Sequence, residues 1–233
     1  SQRNGPVHIN FPRNILSKTY SFKKFKKHKR SKITQASREE ISKTIHLLTE
    51  SSNPVIIAGA GIKNTKSDKE VISIAKKLNI PIVASAGHGD ALSSSEKLYA
   101  GQMGPRGNTV ATNLVRKADV ILALGTRLGF NSTFFSYENI NKKASIIHVD
   151  IEPSSLGRYF PITIGICTDS KIFAKQLYDR LSEIKNFKKT NIWTKNFLEE
   201  KKIYLKKREE EANFINPIQP SALFKILRET LPS

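Results

Sequence analysis

The chain has 233 residues, 38% of them apolar, and a net charge of +19, so it can bury a sizeable core, and its single Cys167 excludes an intramolecular disulfide. No apolar run approaches the roughly 18–20 residues that span a bilayer. Lys outnumbers Arg 28 to 11 and the excess is spread along the whole length, whereas a nucleic-acid reader concentrates charge and favours bidentate arginine. Only Phe22 to Arg30 looks like such a patch, and it reads as a solvated linker. Neither nucleic acid nor membrane is expected as a partner, and a cytoplasmic location is. The sequence begins without Met or an apolar signal region, and it reads as a segment of a longer protein.

Residues 5–13 alternate Val7, Ile9 and Phe11 with polar partners between Pro6 and Pro12, the pattern of a short strand whose sheet would lie upstream. Residues 17–37 read as a basic linker. Ser37 with Glu40 three positions on is a capping box, and Ile41, Ile45 and Leu48 continue it as a helix to about Thr49. Val55 to Ala58 is the first buried strand, ending in Gly59-Ala60-Gly61. A helix over 67–79 follows, then a second strand over 81–85 and the loop Gly87-His88-Gly89-Asp90. The stretch Gly104-Pro105-Arg106-Gly107-Asn108 leads into a helix with Val110, Leu114 and Val115 inward.

Two runs dominate the middle of the chain, 120–124 and 145–149, each ending in polar punctuation: Gly125-Thr126-Arg127 and Asp150. Continuous β-branched runs suit strands covered on both faces, as in a parallel sheet. A further run, Ile162 to Cys167, leads to Asp169, which can cap a helix reaching Leu181. Cys167 reads as a small core residue. The order argues an α/β domain over about 38–184, a Rossmann-like, mostly parallel five-stranded sheet with helices on both faces. Residues 185–216 read as an exposed, charged, partly helical connector. A last helix begins at Ser221 and lacks a domain to pack on.

In such a sheet ligands sit beyond the carboxyl ends of the strands. Gly59-x-Gly61 is half of a dinucleotide fingerprint, but Asn64 stands where a third Gly or Ala belongs and no acid ends the second strand. The alternatives to a standard NAD site are a bare turn or another phosphate-bearing ligand. Arg127 is either a bidentate phosphate clamp or a surface arginine after a turn. Asp150 can accept from ribose hydroxyls, and Asp169 is a ligand contact or only a cap. His88 and Arg106 fall in loops on the same side; His88 is a candidate polar contact without the partners a zinc site needs. His8 and His148 lie in strand runs and read as structural. No nucleophile elbow, P-loop or metal-ligand set appears, so neither catalytic nor metal residues are assigned.

With these motifs in this order, the chain resembles the thiamine-diphosphate-dependent enzymes of the acetolactate synthase group. Residues 5–13 look like the GPVHIDIPRD ending of that group's pyrimidine-binding domain, and Val55 to Asp169 like its central domain with GGG, GxRF and HIDID stretches. Residues 217–233 look like the opening helix of its diphosphate-binding domain. The resemblance implies a homodimer or homotetramer acting on a 2-oxo acid or aldehyde, with thiamine diphosphate and Mg²⁺ bound mainly outside this segment, which alone would be inactive. It also implies FAD in the central domain of flavin-containing members. Carried over by motif, the cofactor contacts are Gly59, Gly61, Arg106, Gly125, Thr126, Arg127, Asp150 and Asp169. Acetolactate synthases continue GxRFDDR; here Asn131 takes the place of the last Arg, and GTRLG is closer to sulfoacetaldehyde acetyltransferases. The leading reading is thus the central portion of a thiamine-diphosphate carboligase or lyase, with a sulfoacetaldehyde acetyltransferase-like enzyme or a stand-alone nucleotide-binding module as alternatives.

Overall fold

Residues 5–12 have no regular structure in the computed structural model, which describes residues 5–21, 24, 34–184, 191–212 and 217–231. The expected strand is absent; a single helical turn, α1 (Arg13–Leu16), follows instead. Alternation supplies a strand's side-chain period, but its N–H and C=O groups need a neighbouring strand. Among the described residues none pairs with this segment, and Val7, Ile9 and Phe11 are each more than half exposed. Apart from Lys24, the basic stretch from Phe22 to Arg30 lies outside the described residues.

Helix α2 (Arg38–Glu50) starts at the capping box read from the sequence. The Ser37 hydroxyl accepts the Glu40 N–H at 3.2 Å, and the Glu40 carboxylate accepts the Ser37 N–H at 2.6 Å. Strand β1 (Pro54–Ala58) is followed by a short helix α3 (Ala60–Thr65), α4 (Asp68–Leu78), β2 (Ile82–Ala84), β3 (Tyr99–Gln102) and α5 (Thr109–Lys117). Then come β4 (Val120–Leu124), the turn α6 (Phe130–Thr133), β5 (Ser145–Asp150), β6 (Ile164–Cys167) and α7 (Ser170–Glu183). Two helices, α8 (Asn191–Glu210) and α9 (Pro220–Thr230), complete the described chain.

All six strands are parallel, in the order β3-β2-β1-β4-β5-β6. Five are those expected; β3 adds an edge. Successive side chains of a strand point to opposite faces, and here both faces are buried. Ile56, Ala58, Leu122 and Leu124 pack with residues of α2, α4 and α7, while Val55, Ile57, Ile121 and Ala123 pack with α5 and α8.

Helix α8 corrects the expected exposed connector. Phe197 is 2% exposed within the second core, the Trp193 indole N–H donates to the Pro54 carbonyl at 2.9 Å, and the Thr194 hydroxyl donates to the Asn79 carbonyl at 2.5 Å. One charged helix therefore closes the sheet's amino-terminal edge. Helix α9 buries Ala222 but leaves Leu223, Phe224, Ile226 and Leu227 exposed. Among the described residues no helix is long and apolar enough to cross a membrane.

Candidate functional site

The pairing registers bring four strand tips level: Ala58 stands opposite Ala84 and Leu124, and Leu124 opposite Val149. The ladder runs one step further, since the N–H groups of Gly59, Ser85 and Gly125 donate to Leu124, Ala58 and Val149 at 2.8–2.9 Å. The residues just beyond the strands thus share one edge. In this strand order the connections from β1 and β4 leave toward opposite faces, which opens a crevice between their carboxyl ends.

A cavity of about 640 Å³ lies there. Gly61, Gly125, Thr126, Arg127, Asp150 and Asp169 line it, as six of the eight candidate contacts. Gly59 stands just beneath, where a Cβ would come within 2.4 Å of the Gly125 carbonyl oxygen. Arg106 is not brought in. The turn is held at Gly104 against the backbone of Asn131 and Ser132, Asn108 caps α5 by accepting the Val110 N–H at 2.7 Å, and Arg106 between them faces solvent. Asn64, Thr65, Ser85, His88 and Ser170 complete the polar lining. Of these, His88 was legible as a loop polar group, and Asn64 as the residue replacing the third glycine.

The cavity has two chemically different ends. At the β5–α7 end are two carboxylates. Asp150, 1% exposed, accepts the Glu152 N–H at 2.9 Å, and Asp169 caps α7 by accepting from the N–H groups of Lys171 and Ile172 at 2.8 and 3.2 Å. Asp169 is therefore both cap and cavity wall, and it already satisfies the first donors of α7. At the other end stand Arg127 and His88. Arg127 makes no ion pair or hydrogen bond with any described residue, and neither ring nitrogen of His88 makes a hydrogen bond among them. Burial lowers the His88 pKa below the ordinary imidazole value; Asp90 opposes this, and the Lys63 and Arg127 cations add to it.

The loops are pinned from behind. The His148 Nε2–H donates to the Thr126 carbonyl at 2.7 Å, and the Gly157 N–H donates to its Nδ1 at 3.4 Å, which fixes the neutral tautomer; burial lowers its pKa. The Gln102 side chain accepts the Gly87 N–H at 3.0 Å, and the Tyr99 hydroxyl donates to the Gly89 carbonyl at 2.8 Å. Burial pushes that phenol up to about 12, with Asp90 adding to the shift, so it stays a donor. Beyond Arg127, α6 displays Phe130 stacked on Phe134 at 4.8 Å, and Phe135 lies 4.4 Å from Tyr159. Cys167 is half-buried rather than fully enclosed, with its thiol pKa raised by burial and then by Asp150 and Glu152. No cluster of three His, Cys, Asp or Glu that could hold a metal exists among the described residues.

Residues 41–177 match the thiamine pyrophosphate enzyme central-domain family, more than half of the chain. The chain belongs to that family. Known relatives extend the match. A probable sulfoacetaldehyde acetyltransferase of Rhizobium meliloti is 39% identical over 144 residues, covering 61% of this chain and 24% of the relative. The sulfoacetaldehyde acetyltransferase of Roseovarius nubinhibens is 34% identical over 180 residues, 76% of this chain and 30% of the relative. The acetolactate synthase large subunit of Buchnera aphidicola from Schizaphis graminum is 29% identical over 237 residues, 98% of this chain and 41% of the relative. The chain thus spans less than half the length of each of these relatives. As a thiamine pyrophosphate enzyme central domain, it has a parallel sheet of six strands, one more than the sequence placed, with Gly59, Gly125 and Asp150 at the strand tips.

Proposed function

We propose that this chain is the nucleotide-holding central portion of a thiamine-diphosphate-dependent transferase or lyase acting on a small 2-oxo acid or aldehyde. The carrying observation is the polar cavity at the β1/β4 switch point of a six-stranded parallel sheet, the position at which doubly wound folds take nucleotides. Its volume, about 640 Å³, falls within the usual range for small-molecule sites.

The donor set suits a nucleoside bearing phosphate and sets its direction. Asp150 and Asp169 repel phosphate and accept from ribose hydroxyls or an amino group. Arg127, free of ion pairs among the described residues, receives the phosphates. Gly61 and Gly125 keep side chains out of the floor between them. FAD fits this set as the nucleotide. Thiamine diphosphate, when bound to the flanking domains, supplies a carbanion and an electron sink. The role of this chain beside it is to hold the nucleotide and carry the flanking domains.

The near-complete overlap with acetolactate synthase large subunits supports reading residues 1–16 as the end of a pyrimidine-binding domain and 217–233 as the start of a diphosphate-binding domain. Exposed apolar side chains on residues 7–16 and on α9 fit the same division. They also fit assembly as a dimer or tetramer. The acetyltransferase reading is favoured by one observation, the higher identity to the sulfoacetaldehyde acetyltransferases, 39% and 34%, than to the acetolactate synthase large subunit, 29%.

The test uses the longer parent protein purified from its source. A tightly bound yellow chromophore, with activity on pyruvate dependent on thiamine diphosphate, is the expected result. A colourless protein that is fully active removes FAD, and one inert toward both pyruvate and sulfoacetaldehyde removes the substrate class.

A further inference from the structure

The two histidines near the cavity differ in how their rings are used. His148 has both nitrogens engaged, by Thr126 and Gly157, and holds the loop in place. His88 lines the cavity with neither nitrogen hydrogen-bonded among the described residues. Its position is nevertheless built. The His88 N–H donates to the Ser85 carbonyl at 3.0 Å, the Ala91 N–H donates to the His88 carbonyl at 3.0 Å, and Gly87 and Gly89 on either side are tied to β3 through Gln102 and Tyr99. The α6 turn is tied to the same loop, since the Ser132 hydroxyl accepts the Ala86 N–H at 2.9 Å. Arg127 and His88 are therefore presented on two loops locked to each other.

We propose that His88 and Arg127 form a two-part anion clamp for the pyrophosphate of the nucleotide, and that His88 enters the clamp as imidazolium, so that binding takes up one proton. The proposal rests on the nucleotide reading of the cavity and deepens it. Every charged group around the ring bears on the sign. Lys63 from α3 and Arg127 from the turn after β4 disfavour a third positive charge, Asp90 on its own loop favours one, and the Lys63–Asp90 ion pair largely cancels itself. Asp150 and Asp169 stand at the other end of the cavity. Together with burial this leaves the free imidazole neutral near pH 7. A pyrophosphate between the ring and Arg127 adds two negative charges on the side where Arg127 faced the ring. The charged form is then favoured by an opposite charge in contact with it. The proton comes from solvent onto the ring nitrogen that faces the phosphate oxygen, and no bond of the ligand changes.

The experiment is calorimetric titration of the 233-residue chain with FAD and with ADP-ribose. Both carry pyrophosphate diesters that do not titrate near neutrality, and they differ in the flavin. Each titration is run at pH 7.5 in buffers of different ionisation enthalpy. Uptake of between about half a proton and one proton is expected for both ligands. Affinity should fall by more than about tenfold between pH 6 and pH 8.5, since such uptake at pH 7.5 requires the ring's pKa to rise by more than about one unit on binding. His88→Asn should bind several-fold more weakly, without proton uptake and with a flat pH profile. Binding by the wild-type chain with a buffer-independent enthalpy overturns the clamp while the nucleotide reading stands. Proton uptake that persists in His88→Asn overturns it too. Failure of both ligands to bind at all removes the nucleotide reading and the clamp with it.

Discussion

Gly61 and Gly125 face each other across the switch point of the sheet: the Gly61 N–H donates to the Gly125 carbonyl at 2.9 Å, and a Cβ on Gly125 would lie 2.5 Å from the Gly61 Cα. Gly125 also has φ +58°, the left-handed region. The two backbones meet because neither carries a side chain, and the floor of the cavity depends on that contact. Gly125→Ala combines left-handed strain with overlap and should destabilise the domain by about 2–4 kcal/mol. Gly61→Ala carries the overlap alone and should cost about 1–3 kcal/mol. Urea midpoints of the two variants check this; a loss below about half a kcal/mol in either would mean the contact relaxes freely.

Arg127 separates binding from folding. It has no ion pair or hydrogen bond among the described residues, so its removal leaves nothing in the fold unpaired. Arg127→Ala should change stability by no more than about 0.5 kcal/mol. It should weaken FAD or ADP-ribose binding about 10–100-fold, the range for charge-assisted hydrogen bonds. Arg127→Lys should recover only part, since a point charge replaces a planar fork. Equal affinity in wild type and Arg127→Ala would return Arg127 to being a surface residue.

Phe197 tests whether α8 belongs to the core. It is fully enclosed against the second face of the sheet, so Phe197→Ala should cost about 3–5 kcal/mol. On the same helix Leu205 is 52% exposed, and Leu205→Ala should stay within about 0.5 kcal/mol. Similar thermal midpoints for the two variants would restore the connector reading of this segment.

What the sequence made legible follows from where each signal resides. Runs such as Val120–Leu124 carry their burial in their own composition, and the Ser37–Glu40 and Asp169 caps are local hydrogen bonds that spacing alone specifies. Strand β3 is different: Tyr99-Ala100-Gly101-Gln102 has no β-branched residue and Gly101 at φ +97°, so its pairing is imposed by β2. Residues 5–13 show the converse, a strand pattern without a partner among the described residues. In α8 the apolar residues are sparse among lysines and glutamates, and it is the docking of Trp193, Thr194 and Phe197, with Leu198 and Tyr204 beside them, that reveals the buried side. In the cavity, glycines, Arg127 and the two aspartates were readable because they follow buried strands. Ser85 and Ser170 carry no pattern of their own, and Arg106 was carried by a motif whose turn here points outward.

Thr44 offers a stabilising change. It is wholly buried in α2, and its hydroxyl makes no hydrogen bond among the described residues. A buried hydroxyl without a partner costs free energy that a methyl group of the same shape does not. Thr44→Val should therefore raise stability by about 1 kcal/mol without touching the cavity. A lowered urea midpoint would show that the hydroxyl is satisfied in solution.

His148 ties stability to pH. Its folded-state pKa lies below the ordinary imidazole value of 6.5, first through burial and against the smaller pulls of the Thr126 carbonyl and Asp150. The unfolded chain therefore binds a proton at a pH where the folded one does not, and stability rises with pH across that interval. The contribution is complete above about pH 6.5 and is lost as pH falls below it toward the folded-state pKa. A glutamine amide can still donate to the Thr126 carbonyl but cannot be protonated in this range. His148→Gln should thus lose about 1 kcal/mol at pH 7.5, from the weakened bond to Gly157, and show a shallower decline between pH 6.5 and 5. His88 also has a lowered pKa, so the comparison is made in the His88→Asn background, where the remaining slope belongs to the His148 side of the loop. Parallel wild-type and variant slopes in that background would assign the acid sensitivity to another group.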